Sequence, residues 1–160
     1  MLNQTGIVTS EMFESRCPNT ERRKSGSYAI IECFEEIPCD PCLTSCKFDA
    51  VSMENINALP VCDFDKCNGC ARCVGVCPGL ACFVVDETVG EGKVKITLPH
   101  ELLPLPTNNA EVEALGRDGQ VCGKALVVKV SSGKALDKTN VISILVDEEL
   151  LSEVRAIRVK

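Results

Sequence analysis

The stretch Cys67-Asn68-Gly69-Cys70-Ala71-Arg72-Cys73-Val74-Gly75-Val76-Cys77-Pro78 decides how this chain is to be read. Its spacing is C-x2-C-x2-C-x3-C-P. Steps of three residues wrap the backbone around a small cube, so one tight loop offers three thiolates and the fourth comes from elsewhere. Asn68, Gly69 and Ala71 are small or turn-tolerant, which lets backbone N–H groups approach the sulfurs. The pattern fits an iron–sulfur cluster. Structural zinc competes with it, because zinc also takes four cysteines, but its cysteine pairs ordinarily stand farther apart in sequence.

The same theme occurs upstream as Cys33-x5-Cys39-x2-Cys42-x3-Cys46, with Lys47 where Pro would stand. Cys33 lies three residues earlier than the repeat would place it, at the end of the strand signal Tyr28–Glu32. Extended pieces are expected at 59–64 and 80–85. Residues 28–53 and 61–85 thus look like one unit of about 25 residues used twice: strand, cysteine loop, strand.

Residues 28–86 resemble a bacterial-type ferredoxin with two [4Fe–4S] clusters. With its tail the chain also resembles the ferredoxin-like small subunits of FAD-dependent amino-acid or amine dehydrogenases, of the proline, hydroxyproline or sarcosine-oxidising kind. Glu32-Cys33-Phe34-Glu35-Glu36-Ile37-Pro38-Cys39 and Cys77-Pro78-Gly79-Leu80-Ala81 carry that second likeness. In two-cluster ferredoxins the fourth cysteine of each run serves the other cluster. The resemblance therefore implies Cys46, Cys67, Cys70 and Cys73 around one cluster, and Cys39, Cys42, Cys77 and Cys33 around the other. Cys62 is the rival for the last place, and the altered spacing there also permits a 3Fe–4S cluster. The implied role is an electron-transfer subunit in a hetero-oligomer, relaying electrons between a flavoprotein dehydrogenase and another carrier. Its implied partners are FAD-containing subunits and a small [2Fe–2S] subunit. A stand-alone ferredoxin and a zinc-stapled interaction module are the alternatives.

Composition agrees with a stapled core, for the 160 residues include 12 Cys but no Trp, one Tyr and five Phe. Residues 1–92 hold 7 Lys and Arg against 14 Asp and Glu, whereas residues 93–160 hold 10 against 9. An acidic chain argues against nucleic acid. No run approaches the roughly 20 apolar residues of a membrane span, and Met1–Gly6 does not open a signal segment, so a cytoplasmic location is expected.

The expected fold is α+β: an arm at 1–27, a pseudo-twofold ferredoxin-like module at 28–92 and a small antiparallel β domain at 93–160. Within the last, strands are expected at 93–98, 121–130, 140–146 and 157–159. A turn is expected at Arg117-Asp118-Gly119-Gln120, and a short helix from Asp147 to 154. The run Arg22-Arg23-Lys24 reads as a solvated loop or a partner contact. Cys82 and Cys122 read as packing residues, Cys17 is undecided, and His100 reads as a surface residue. No nucleophile with a base, and no paired carboxylates, suggest a catalytic site.

Overall fold

Apolar residues recur at every second position in Tyr28–Ile30, Phe83–Val85, Val94–Leu98 and Ile142–Val146, so each segment lays one apolar row along an extended backbone. In the computed structural model, which describes residues 2–136 and 138–160, these segments join one seven-stranded antiparallel sheet. Its strands are β1 (Tyr28–Ile31), β4 (Cys82–Asp86), β5 (Lys93–His100), β6 (Glu111–Leu115), β7 (Val121–Ser131), β8 (Asn140–Asp147) and β9 (Ala156–Arg158). They lie in the order β1-β4-β5-β8-β7-β6-β9, while β2 (Val51–Ser52) and β3 (Val61–Cys62) pair separately. The helices α1 (Leu2–Thr5), α2 (Ser10–Glu14), α3 (Thr20–Arg23), α4 (Pro41–Thr44) and α5 (Arg72–Val76) are all short. The class is α+β, dominated by antiparallel sheet.

The sheet is bent. Register shifts between Ala114 and Leu115, and between Val127 and Lys129, increase the local twist. The apolar rows enclose one core, which takes in Phe13 of α2 and Leu151, Val154 and Ile157 near the chain's end. The two edge strands are clasped together. Glu32 follows β1 and accepts from Arg117 (2.6 and 2.7 Å) and from Arg155 (2.7 Å), which nearly adjoins β9. All three side chains are under one-tenth exposed, and the Arg155 guanidinium lies over the Phe83 ring at 4.9 Å.

The division expected after residue 92 falls in a tight turn. Gly90, Glu91 and Gly92 take φ of +77°, +58° and +66°, and the turn joins β4 to β5, which pair directly through Val84–Thr97 and Val85–Ile96. The cysteine-bearing half and the tail therefore share a sheet and a core. β6 was not foreseen, and the helix expected from Asp147 is a single 3-10 turn, Glu148–Leu150, followed by further turn.

The arm is built onto the body rather than solvated. The Met12 N–H donates to Thr9 Oγ1 to cap α2, and the Arg22 N–H to Asn19 Oδ1 to cap α3. Phe13 is 1 % exposed. Arg22 donates to the carbonyls of Phe64, Gly26, Ser27 and Cys67, and Arg23 to Glu87 and Glu14, so two of the three basic residues are occupied within the chain. His100 corrects another expectation: it ends β5, is 5 % exposed, and its Nε2 has no partner among the described residues. Burial lowers its pKa.

Candidate metal centre

The outer face of β1 and β4 carries the cysteine loops. Ala29, Ile31, Cys82 and Val84 of the sheet pack there with Val51, Cys73, Val74 and Val141. The repeat is visible in the pairing, since β1–α4–β2 and β3–α5–β4 are successive units, and β1 pairs with β4 as β2 does with β3.

Two separate cavities lie among these loops. Cys33, Cys39, Cys42 and Cys77 line the first, a space of about 370 Å³ including its opening to solvent. Cys46, Cys67, Cys70 and Cys73 line the second, of about 340 Å³. The fourth cysteine of each run has crossed to the other run's cavity. Among the described residues no group of three or more His, Cys, Asp or Glu is placed to hold a single metal ion; the eight cysteines line two spaces instead.

The backbone is shaped toward these sulfurs. Asp49 and Leu80, each three residues after the last cysteine of its run, take φ of +49° and +52°. The next residue then turns its N–H back: Ala50 donates to Cys46 Sγ at 3.4 Å and Ala81 to Cys77 Sγ at 3.3 Å. Ala29 of β1 donates to Cys67 Sγ at 3.3 Å. Gly69 has φ +69°, and a Cβ there would stand 2.4 Å from Ser27 Cβ, so the loop admits no side chain at that point.

Two arginines of the arm hold the frame. Arg16 donates to the Cys33 carbonyl at 2.8 Å and Arg22 to the Cys67 carbonyl at 2.6 Å, one clamp for each cavity. Nothing in the motif spacing points to them.

The remaining cysteines are not equivalent. Cys82 is fully buried, lines the first cavity, and its thiol lies beside Cys42 and Cys77 of that cavity and Cys73 of the second. Cys62 lies beside Cys67, on the second cavity's side. It is therefore not placed to complete the first set. Both thiols are pushed above their ordinary range, chiefly by the neighbouring cysteine sulfurs and by burial. Their neighbours move the opposite way. Cys67 falls to about 6 through Cys62 and the N–H groups of Gly69 and Ala29, Cys77 to about 6 through Cys82 and the N–H groups of Ala81 and Gly79, and Cys42 to about 7 through Cys82. Cys73 is also lowered by Cys82. Cys33 and Cys39 of the first cavity shift upward instead, chiefly through desolvation. Cys17 and Cys122 instead donate to the carbonyls of Phe13 and Ala114 and pack on the apolar core.

Comparison with family models, curated proteins and solved structures finds no match. Among the described residues, no helix is long and apolar enough to cross a membrane.

Proposed function

We propose that this chain is an electron-transfer protein with two [4Fe–4S] clusters in a ferredoxin-like module, relaying electrons between a flavoprotein dehydrogenase and a second carrier. The observation that carries the reading is the division of eight cysteines into two sets of four with the fourth cysteine crossed. Cys33, Cys39, Cys42 and Cys77 would hold one cluster and Cys46, Cys67, Cys70 and Cys73 the other. The donor chemistry fits, since thiolate ligands in a shell of N–H groups are what such clusters require. When bound, the clusters supply reversible one-electron chemistry.

The chain's own residues set the terms of that chemistry. The N–H groups of Ala29, Ala50 and Ala81 stabilise negative charge on the sulfurs. Cys82, touching both sets, gives a packed contact from one cavity to the other. The link to a flavoprotein rests on the sequence resemblance.

The test is anaerobic reconstitution. The wild type should carry about eight irons and eight sulfides with a broad visible absorption. Cys33→Ser should lose one cluster, whereas Cys62→Ser should keep both. Two zinc ions in a colourless protein would replace the reading with the interaction-module alternative.

The arginine clamps lead to a second expectation. Each places a positive charge near one set, and about 1 kcal/mol of Coulomb energy corresponds to roughly 40 mV in a one-electron couple. Arg22→Gln should lower the potential of the Cys67 cluster by roughly tens of millivolts and Arg16→Gln that of the Cys33 cluster. An EPR-monitored titration resolves the two, and equal shifts in both clusters would contradict the pairing.

A further inference from the structure

A third cavity opens on the outer face of the sheet beside the loop of Cys70. It is a groove of about 1200 Å³ including open solvent, running from Cys70 and Arg72 across β5 to β7 and β8. Thr97 and Ser143, whose hydroxyls lie 2.8 Å apart, form part of its floor. Three observations single it out. Arg72, Lys95 and Lys129 line it and no acidic side chain does, among the described residues, although the chain has 23 Asp and Glu and a net charge of −6. Lys95 pairs with Asp86 at 3.3 Å, while Arg72 and Lys129 have no ion-pair partner among the described residues. Cys70 lines both this groove and the second cysteine cavity, and of the eight cysteines in the two sets it is the one that is exposed. Finally, the first cavity has the opposite character, with Glu35 in its wall and the exposed Ile37 beside it.

We infer that the groove is the docking site of an acidic segment of a redox partner protein, which exchanges electrons at Cys70. This rests on the iron–sulfur reading and adds which end serves which kind of partner. Carboxylates of the partner would pair with Arg72 and Lys129. One electron then passes between the cluster and the partner's one-electron centre, with no bond broken and no proton moved. The groove is open to solvent and crosses β5, β8 and β7, which favours an extended protein segment over an enclosed small molecule. Like-charge repulsion would keep the same segment from the Glu35 end.

The probes are two small oxidants of opposite charge, the anionic cobalt(III)–EDTA complex and the cationic hexaamminecobalt(III) ion. Each is mixed with the anaerobically reduced holoprotein in a stopped-flow instrument. If the groove is the exit, oxidation by the anion is slowed by salt and by a decaglutamate peptide, against the sense of the net charge. Lys129→Glu slows it roughly three- to ten-fold while iron content stays that of the wild type, and Arg72→Glu acts in the same direction. Lys24→Glu, on the arm, leaves the rate unchanged. Preference for the cation, with no effect of Lys129→Glu in iron-loaded protein, overturns the docking site alone. Inhibition by inorganic phosphate equal to that by decaglutamate at matched ionic strength marks a small-anion pocket and also overturns it. A chain that takes up no iron overturns the iron–sulfur reading itself.

Discussion

Glu32→Gln is expected to destabilise the protein by about 3–5 kcal/mol, the usual cost of removing one partner from a buried ion cluster. Arg117 and Arg155 are 8 % and 9 % exposed, and without the carboxylate they would face each other in a nearly dry site. An amide keeps one acceptor oxygen but replaces the other with an N–H donor, and it cannot neutralise two guanidinium groups. With a urea slope of about 2 kcal/mol per molar, the unfolding midpoint falls by roughly 2 M. The effect is large because Glu32 joins the two edges of the bent sheet, and because it immediately precedes Cys33. The matched control is Glu111→Gln, whose partner Lys124 is largely exposed; it should leave the midpoint unchanged. The pH dependence gives a second check. Burial alone would raise the Glu32 pKa, but hydrogen bonds from Arg117 and Arg155 outweigh it and hold the carboxyl below its ordinary value of 4.5. A carboxyl lowered on folding contributes stability that is present above the unfolded pKa and lost as pH falls through the folded one. The gap between wild type and Glu32→Gln should therefore be level near neutrality and close in acid. A constant gap across that range would show that packing, not charge, is lost.

What the sequence disclosed follows from the range of each interaction. Cys67 to Cys77 could be placed from spacing because their wrap is local, and β5, β7 and β8 because their alternation is long enough to count. β6 is five residues with Glu at two of them, too brief to stand out beyond Pro106. The boundary expected after residue 92 falls beside Gly90-Glu91-Gly92, and glycine marks both linkers and tight turns; the pairing of β4 with β5 across it makes it a turn. The arm differs from its solvated-loop expectation for another reason. Arg22 finds carbonyls 42 and 45 residues away, so a charge run that usually means solvent here means a clamp. Burial of Cys82 was legible from its apolar strand, but its three cysteine neighbours come from loops that only the fold assembles. His100 lies between Pro99 and Glu101, polar-looking context that conceals a sheet position opposite Asn140.

If the chain holds the proposed clusters, removing their iron should unfold the cysteine loops and spare the sheet. The two faces differ in what holds them. The inner core joins Tyr28, Ile30 and Phe83 to Ile96, Ile142 and Ile144, and fully burying a side chain of that size contributes about 1.5–3 kcal/mol. On the outer face the apolar cluster has eight buried members among the described residues, and two of them are Cys73 and Cys82. The elements there cannot stand alone. α4 and α5 have four and five residues, far below the roughly 12 that an isolated helix needs, and β2 and β3 pair over two residues each. In the iron–sulfur reading, cross-linking by metal would supply the remaining order, since site formation can contribute on the order of 10 kcal/mol to folding. On chelation under reducing conditions, protease cleavage should therefore concentrate between residues 33 and 80. The amides of Ile96, Ile142 and Ile144 should keep most of their protection from hydrogen exchange, because Ile96 and Ile144 are paired in the middle of the sheet. Arg22 would lose its Cys67 carbonyl but keep Gly26 and Ser27, so the arm should loosen rather than leave. Equal protease resistance with and without iron would mean that the loops are held by their own packing. Loss of protection throughout the sheet would mean that the shared β1–β4 pair makes both faces one cooperative unit, with the outer face governing the stability of the whole chain.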